Sequence, residues 1–204
     1  MLKKEYGAAI IDPPWNIDQK GKNSNRSAES RYPLMTLKQI KAMPIGDLMK
    51  PDSFVFLWFT PGTLHYVDSV LETWGYRPVS IMIWVKEAGG RLGLGNVVRH
   101  NAEFIRIGVR GHATVKFHGQ PSVFYAPAQE HSHKPEETHQ IVRRLVGDEM
   151  GPCCEIFARR PYPGWDVWGN EVPSDFKIEG YPVPRYSFDP GFYDPSADPN
   201  KEGA

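Results

Sequence analysis

The tetrapeptide Asp12-Pro13-Pro14-Trp15 follows directly on five small or apolar residues, Gly7-Ala-Ala-Ile-Ile11. Proline ends strands often, but a strand stop leaves the flanking acid and Trp unexplained. Together they suit one kind of chemistry. The exocyclic amine of an aromatic base is a weak nucleophile because its lone pair is delocalised into the ring. Acceptors aimed at its two N–H groups favour the pyramidal, charge-developing nitrogen of a methyl-transfer transition state. The Asp12 carboxylate can accept one N–H and a backbone carbonyl of Pro13–Pro14 the other, while the prolines bring no competing N–H donor. Trp15 offers an aromatic face to a base that has left its helix, at a cost of about a few kcal/mol.

Other residues bear on chemistry. Lys134 stands just before a helix start, where the helix dipole disfavours a cation, so a ligand anion is one explanation and a solvated lysine the other. Glu155, on an expected core strand, resembles the acid that nucleotide-binding α/β sheets direct at ribose hydroxyls; the alternative is a partner for Arg159 or Arg160. His131, His133 and His139 lack paired cysteines or a carboxylate at ligand spacing, and no metal site is expected. Gly93-Leu-Gly95 has neither a helix after it nor a following Lys-Ser/Thr, which rejects phosphate-loop and dinucleotide readings.

These residues need a scaffold. Apolar runs at 7–11, 53–59, 78–85, 103–109 and 153–158 read as strands. Leu64, Val67, Val70, Leu71 and Trp74 recur at helical spacing, with Gly75 as the stop, over 63–74. Pro135, Glu136, Glu137, Arg143, Arg144 and Gly147 punctuate a second helix over 135–146. Thr36 is placed to cap a short helix that Pro44 interrupts. Alternation of this kind predicts an α/β fold, a three-layer, mostly parallel sheet with helices on both faces and ligands at the strands' carboxyl ends. One domain is expected over 1–172 and a Pro-rich, acidic tail over 173–204, whose aromatics leave room for part of it to lie across the domain.

The chain has 204 residues, and 24 Lys plus Arg balance 24 Asp plus Glu. Zero net charge excludes a uniformly basic nucleic-acid binder, yet the charge is uneven. Residues 16–41 and 86–118 each carry +4, and residues 171–204 carry −4. Two basic segments bordering the crevice would track phosphates, or else solvate a sheet rim. The adjacent Cys153 and Cys154 are unsuited to stapling distant segments, no apolar run reaches membrane-spanning length, and no secretory signal is recognised; a cytoplasmic, non-membrane protein is expected.

The ordered motifs resemble the MT-A70 family of adenine-N6 methyltransferases over most of residues 6–171. They are Asp12-Pro-Pro-Trp15, Tyr32-Pro-Leu-Met-Thr36, Phe54-Val-Phe-Leu-Trp58, Trp74-Gly75-Tyr76, Ile83-Trp-Val-Lys86, Gly93-Leu-Gly95 with Arg99 and Glu103, Ser132-His-Lys-Pro135, Glu155-Ile-Phe-Ala-Arg159, and Trp165 with Trp168-Gly-Asn-Glu171. The resemblance implies a Rossmann-like class I methyltransferase fold with permuted motif order and S-adenosyl-L-methionine as methyl donor. It implies Asp12, Pro13, Pro14 and Trp15 as catalytic residues, with Asp12, Lys134, Glu155, Arg159, Asn170 and Glu171 around the donor, Lys134 on its methionine carboxylate. Arg160-Pro161-Tyr162 departs from the family's small polar pair, so carry-over stops at Arg159. Relatives contact the donor adenine with an acid upstream of the tetrapeptide. Only eleven residues precede Asp12 here, so either another segment closes that side or the donor is bound more weakly.

Lys20, Lys22, Arg26, Arg31, Lys86, Arg91, Arg99 and Glu103 are the expected nucleic-acid contacts. DNA is the expected substrate, since the small chain resembles bacterial and phage members, with RNA the runner-up. The family also implies a homodimer or a related subunit as partner. A non-catalytic subunit that keeps the fold is the competing reading, which intact Asp12 and Lys134 oppose.

Overall fold

The computed structural model describes residues 5–15, 34–87, 97–128 and 133–181. Lys20, Lys22, Arg26, Arg31, Arg91, Gly93, Gly95, His131 and the chain from 182 onward lie outside them. Seven strands form one sheet: β1 (Tyr6–Ile11), β2 (Met49–Phe59), β3 (Arg77–Lys86), β4 (Ala102–Arg110), β5 (Val123–Ala126), β6 (Cys153–Ile156) and β7 (Trp165–Trp168), in the order β5-β3-β4-β2-β1-β6-β7. Among the described residues three α-helices complete it: α1 (Leu37–Ala42), α2 (Leu64–Thr73) and α3 (Glu137–Val146). The β1–β2, β1–β6, β6–β7 and β3–β5 pairs are parallel, whereas β4 runs antiparallel to both β2 and β3. The sheet is thus mixed and mostly parallel, as expected, with one strand reversed.

Alternation along the strands separates two cores. Ala9, Ile11, Val55, Leu57 and Cys154 face α1 and α2, where Ile40, Val67, Val70 and Leu71 meet them. Ala8, Ile10, Phe56, Trp58, Trp84, Ile105 and Cys153 face α3, which contributes Ile141, Val142, Leu145 and Val146. Each large apolar side chain so buried contributes about 1.5–3 kcal/mol. The adjacent cysteines are therefore both buried, on opposite faces, as a period of two requires. The result is a three-layer α/β/α, Rossmann-like fold.

The local signals behave as their chemistry predicts. Thr36 caps α1 in a reciprocal box with Gln39. After α2 the chain turns at Gly75, φ +86°, and after α3 at Gly147, φ +74°. The strand expected over 153–158 stops at Ile156, because Phe157 adopts φ +69°. A bulky residue there is a strained conformation, held by packing of its ring against Trp168 at 5.3 Å.

The segment after 172, assigned to the tail by composition, packs on the domain as far as Tyr181. Val172 and Ile178 are buried, and Phe176 lies 5.3 Å from the Tyr6 ring.

The carboxyl end of β1 opens where the chain diverges. α1, which precedes β2, packs on one face of the sheet, and α3, which precedes β6, packs on the opposite face. Such a point in an open α/β sheet leaves a crevice for ligands.

Candidate active site

Six strands bring their carboxyl ends, and reversed β4 its amino end, to this rim. Asp12 follows β1, and its backbone N–H donates to the Ile156 carbonyl of β6 at 3.3 Å. The two prolines make a tight turn: Trp15 N–H donates to Pro13 O at 2.8 Å, and Met35 N–H to Pro14 O at 2.8 Å. Each proline carbonyl so engaged keeps a second lone pair. Trp15 is half-buried against the α1 side of the core, with its Nε1–H donating to the Trp58 carbonyl at 3.2 Å.

Lys134 lies immediately before the buried Pro135 that leads into α3. Its Nζ is 3.1 Å from Asp12 Oδ2 and 2.8 Å from Glu103 Oε2, and it stands 5.1 Å from the Trp58 ring centroid. Glu103, at the start of β4, also pairs through its Oε1 with Lys86 Nζ at 2.7 Å, from the end of β3. Lys86 in turn lies over Trp84, and Trp84 packs edge-on against Trp58. A chain of alternating charge, Lys86–Glu103–Lys134–Asp12, thus crosses an aromatic floor.

Burial and attraction set the charge states. Burial works to raise the Glu103 carboxyl, but Lys134 and Lys86 outweigh it and hold the group at about 2. Burial works to lower Lys134, and the two carboxylates outweigh it, keeping the ammonium charged above its ordinary value. Asp12 moves upward: lost hydration outweighs the pull of Lys134 and Arg159, and Glu103 repels it.

Beyond β6 and β7 the chain supplies a second group of polar side chains. Arg159 Nε is 3.8 Å from Glu171 Oε1. Gly169 makes this approach feasible, because a Cβ there would sit 2.0 Å from the Ala158 carbonyl oxygen. Asn170 follows it, half-buried, at the same rim. Glu155 faces α3, where its Oε2 is 2.8 Å from His139 Nε2. His139 stacks on Tyr162 at 4.0 Å and meets Trp165 edge-on, so this histidine is a buried partner of an acid.

Among the sequence-predicted residues, then, Asp12, Lys134, Glu103 and Lys86 come together. Arg159 and Glu171 form a neighbouring pair, Glu155 is drawn toward α3, and Arg99 is exposed on the β3–β4 connection. The floor, Trp58 and Trp84, was not singled out from sequence. Its signal was present: Trp84 and Lys86 share one face of β3 at a spacing of two.

The crevice at the strands' carboxyl ends, lined by an acid, a lysine and aromatic rings, places the molecule among Rossmann-like α/β proteins of the methyltransferase type. The MT-A70 family model matches residues 6–171, and the chain belongs to that family. It is 28% identical to the N(6)-adenosine-methyltransferase MT-A70-like protein of Arabidopsis thaliana over 82% of this chain and 24% of that protein. It is 29% identical to the N(6)-adenine-specific methyltransferase METTL4 of Mus musculus over 83% of this chain and 38% of the relative. With the N(6)-adenosine-methyltransferase catalytic subunit METTL3 of Homo sapiens it shares 27% identity over 89% of this chain and 31% of the relative. The chain therefore spans roughly a quarter to two fifths of these relatives.

Proposed function

We propose that this protein transfers a methyl group from S-adenosyl-L-methionine to the exocyclic N6 amine of adenine in nucleic acid, with DNA as the acceptor. The observation that carries the reading is the meeting of Asp12 and Lys134 at the carboxyl end of β1, in a chain of the MT-A70 family. The polar residues suit the donor. Lys134 would hold its carboxylate, and Arg159, Asn170 and Glu171 its hydroxyl-bearing and adenine portions. When bound, the donor supplies an electrophilic methyl group on a sulfonium.

The protein's part is to present the amine. Asp12 accepts one N–H, a free lone pair on Pro13 or Pro14 accepts the other, and the target nitrogen is turned toward the donor side. Methyl transfer leaves one proton to be lost from the amine. The Asp12 carboxylate, raised above its ordinary range and 26% exposed, is placed to pass it to water. Proposed phosphate contacts are Lys86 and Arg99, with Lys20, Lys22, Arg26, Arg31 and Arg91 outside the described residues.

Isotope transfer from labelled S-adenosyl-L-methionine to adenine-containing single-stranded DNA, duplex DNA and RNA tests the proposal. DNA is expected to be labelled best and Asp12→Ala to abolish incorporation. Incorporation unchanged in Asp12→Ala would exclude the proposed role. No incorporation into any strand would favour a non-catalytic subunit, and preferential labelling of RNA would replace DNA as acceptor.

A further inference from the structure

The segment after β7 closes a circuit back to the catalytic turn. We propose that residues 173–181 form a positioning strap for Asp12-Pro13-Pro14-Trp15, with the Tyr181 hydroxyl as its terminal contact; the proposal rests on the function argued above. The strap is fastened along its length. Asp175 is bonded to β7 twice: its carboxylate accepts from Val167 N–H at 2.8 Å, and its own N–H donates to Val167 O at 2.8 Å. Ile178 is buried in the α1–α2 core. A turn at Gly180, φ +78°, closed by Tyr181 N–H to Ile178 O at 3.0 Å, then reverses the chain. Tyr181 emerges with its hydroxyl donating to the Gln39 carbonyl of α1 at 2.8 Å.

From Gln39 the route to the catalytic turn is short. The Gln39 side chain accepts from Thr36 N–H at 2.8 Å, closing the cap of α1. The residue before that cap, Met35, donates its N–H to Pro14 O and bridges Trp15. A helix of six residues does not hold its own orientation. Besides the burial of Ile40, two side chains hold it on consecutive carbonyls: Tyr181 on Gln39, and Trp74 Nε1–H on Ile40 at 3.1 Å. One such contact leaves a pivot and two fix a rotation. That rotation sets Met35, and Met35 sets the direction of the Pro14 carbonyl. Burial raises the Tyr181 phenol, so it stays a protonated donor at neutral pH.

Lys134 and Arg159 stand on other elements, and Asn170 and Glu171 lie at the far end of the strap from Tyr181, beyond the Asp175 fastening, so loss of the Tyr181 contact should spare donor binding. In the full chain, Tyr181→Phe is expected to speed amide exchange at Met35 by about fivefold, the worth of one ordinary hydrogen bond. It should lower kcat for methyl transfer by a similar factor, with S-adenosyl-L-methionine affinity unchanged and Tm lowered by only about 2–4 °C. Thr36→Ala interrupts the same route. If the links act in series, the double variant loses no more kcat than the worse single one. Unchanged Met35 exchange and kcat in Tyr181→Phe would overturn the strap, as would an equal fall in donor affinity and kcat. If the wild-type chain transfers no methyl group, the functional reading falls on that result alone, and Met35 exchange still decides the strap.

Discussion

Glu103→Gln removes the negative charge that Lys86 and Lys134 share, and the structure fixes what should follow. The Glu103 side chain is only 19% exposed and bonds both ammonium groups within 2.8 Å. Its folded-state value of about 2, against 4.5 when free, corresponds to about 3 kcal/mol of stability. Because the folded value is depressed, that stability is fully present above 4.5 and is lost as pH falls through about 2. Urea denaturation of wild type and Glu103→Gln should therefore differ by about 3 kcal/mol at pH 7 and by about half as much at pH 3. A difference under about 1 kcal/mol at pH 7, or one of equal size at both pH values, would refute the argument that the two lysines hold this carboxylate.

Further outcomes follow from the same site. Asp12 must be ionised to accept the amine and is raised partly by Glu103, so methyl transfer should fail on the acid side above the ordinary carboxylate range. A pH–rate profile of Glu103→Gln should carry that limb to lower pH. Lys134→Ala should weaken S-adenosyl-L-methionine binding by calorimetry and also lower Tm. The loss strands two largely buried carboxylates and should cost about 3 kcal/mol, which departs from a solvated lysine. Gly169→Ala drives a Cβ into the Ala158 carbonyl, and should cost about 1–3 kcal/mol in urea denaturation while displacing Asn170 and Glu171. The logarithm of the oligonucleotide association constant, measured by fluorescence anisotropy, should fall linearly with the logarithm of salt concentration, with a shallower slope in Lys86→Ala.

Much of this fold was legible because burial imposes a period. The runs at Gly7–Ile11 and Ser53–Phe59 and the spacing of Leu64 to Trp74 located β1, the core of β2 and α2. Gly75 and Gly147 marked the turns that end α2 and α3. Two strands escaped. Val123–Ala126 and Trp165–Trp168 are four residues each, too short for alternation to stand out. The direction of β4 was hidden too, since apolar periodicity is the same read from either end. In the site, the tetrapeptide and Lys134 were visible as unusual residues in informative places. The Lys134–Glu103–Lys86 cluster was not, because it depends on that strand direction. Glu155 carried two sequence readings, and neither included His139, sixteen residues earlier and one layer away.

The reversed β4 has a consequence for how this protein can change. In the parallel part of the sheet, a chain leaving the crevice passes through further secondary structure before it returns. β4 instead pairs antiparallel with β3, and Lys86 N–H bonds the Asn101 carbonyl at 2.8 Å where the two ends meet. Lys86 and Glu103 pair across this junction, and the chain between them closes a loop there. The entropy of closing such a loop grows slowly with its length. Insertion or replacement between Lys86 and Glu103 is therefore expected to leave these two residues paired, with Tm falling little as the inserted length grows.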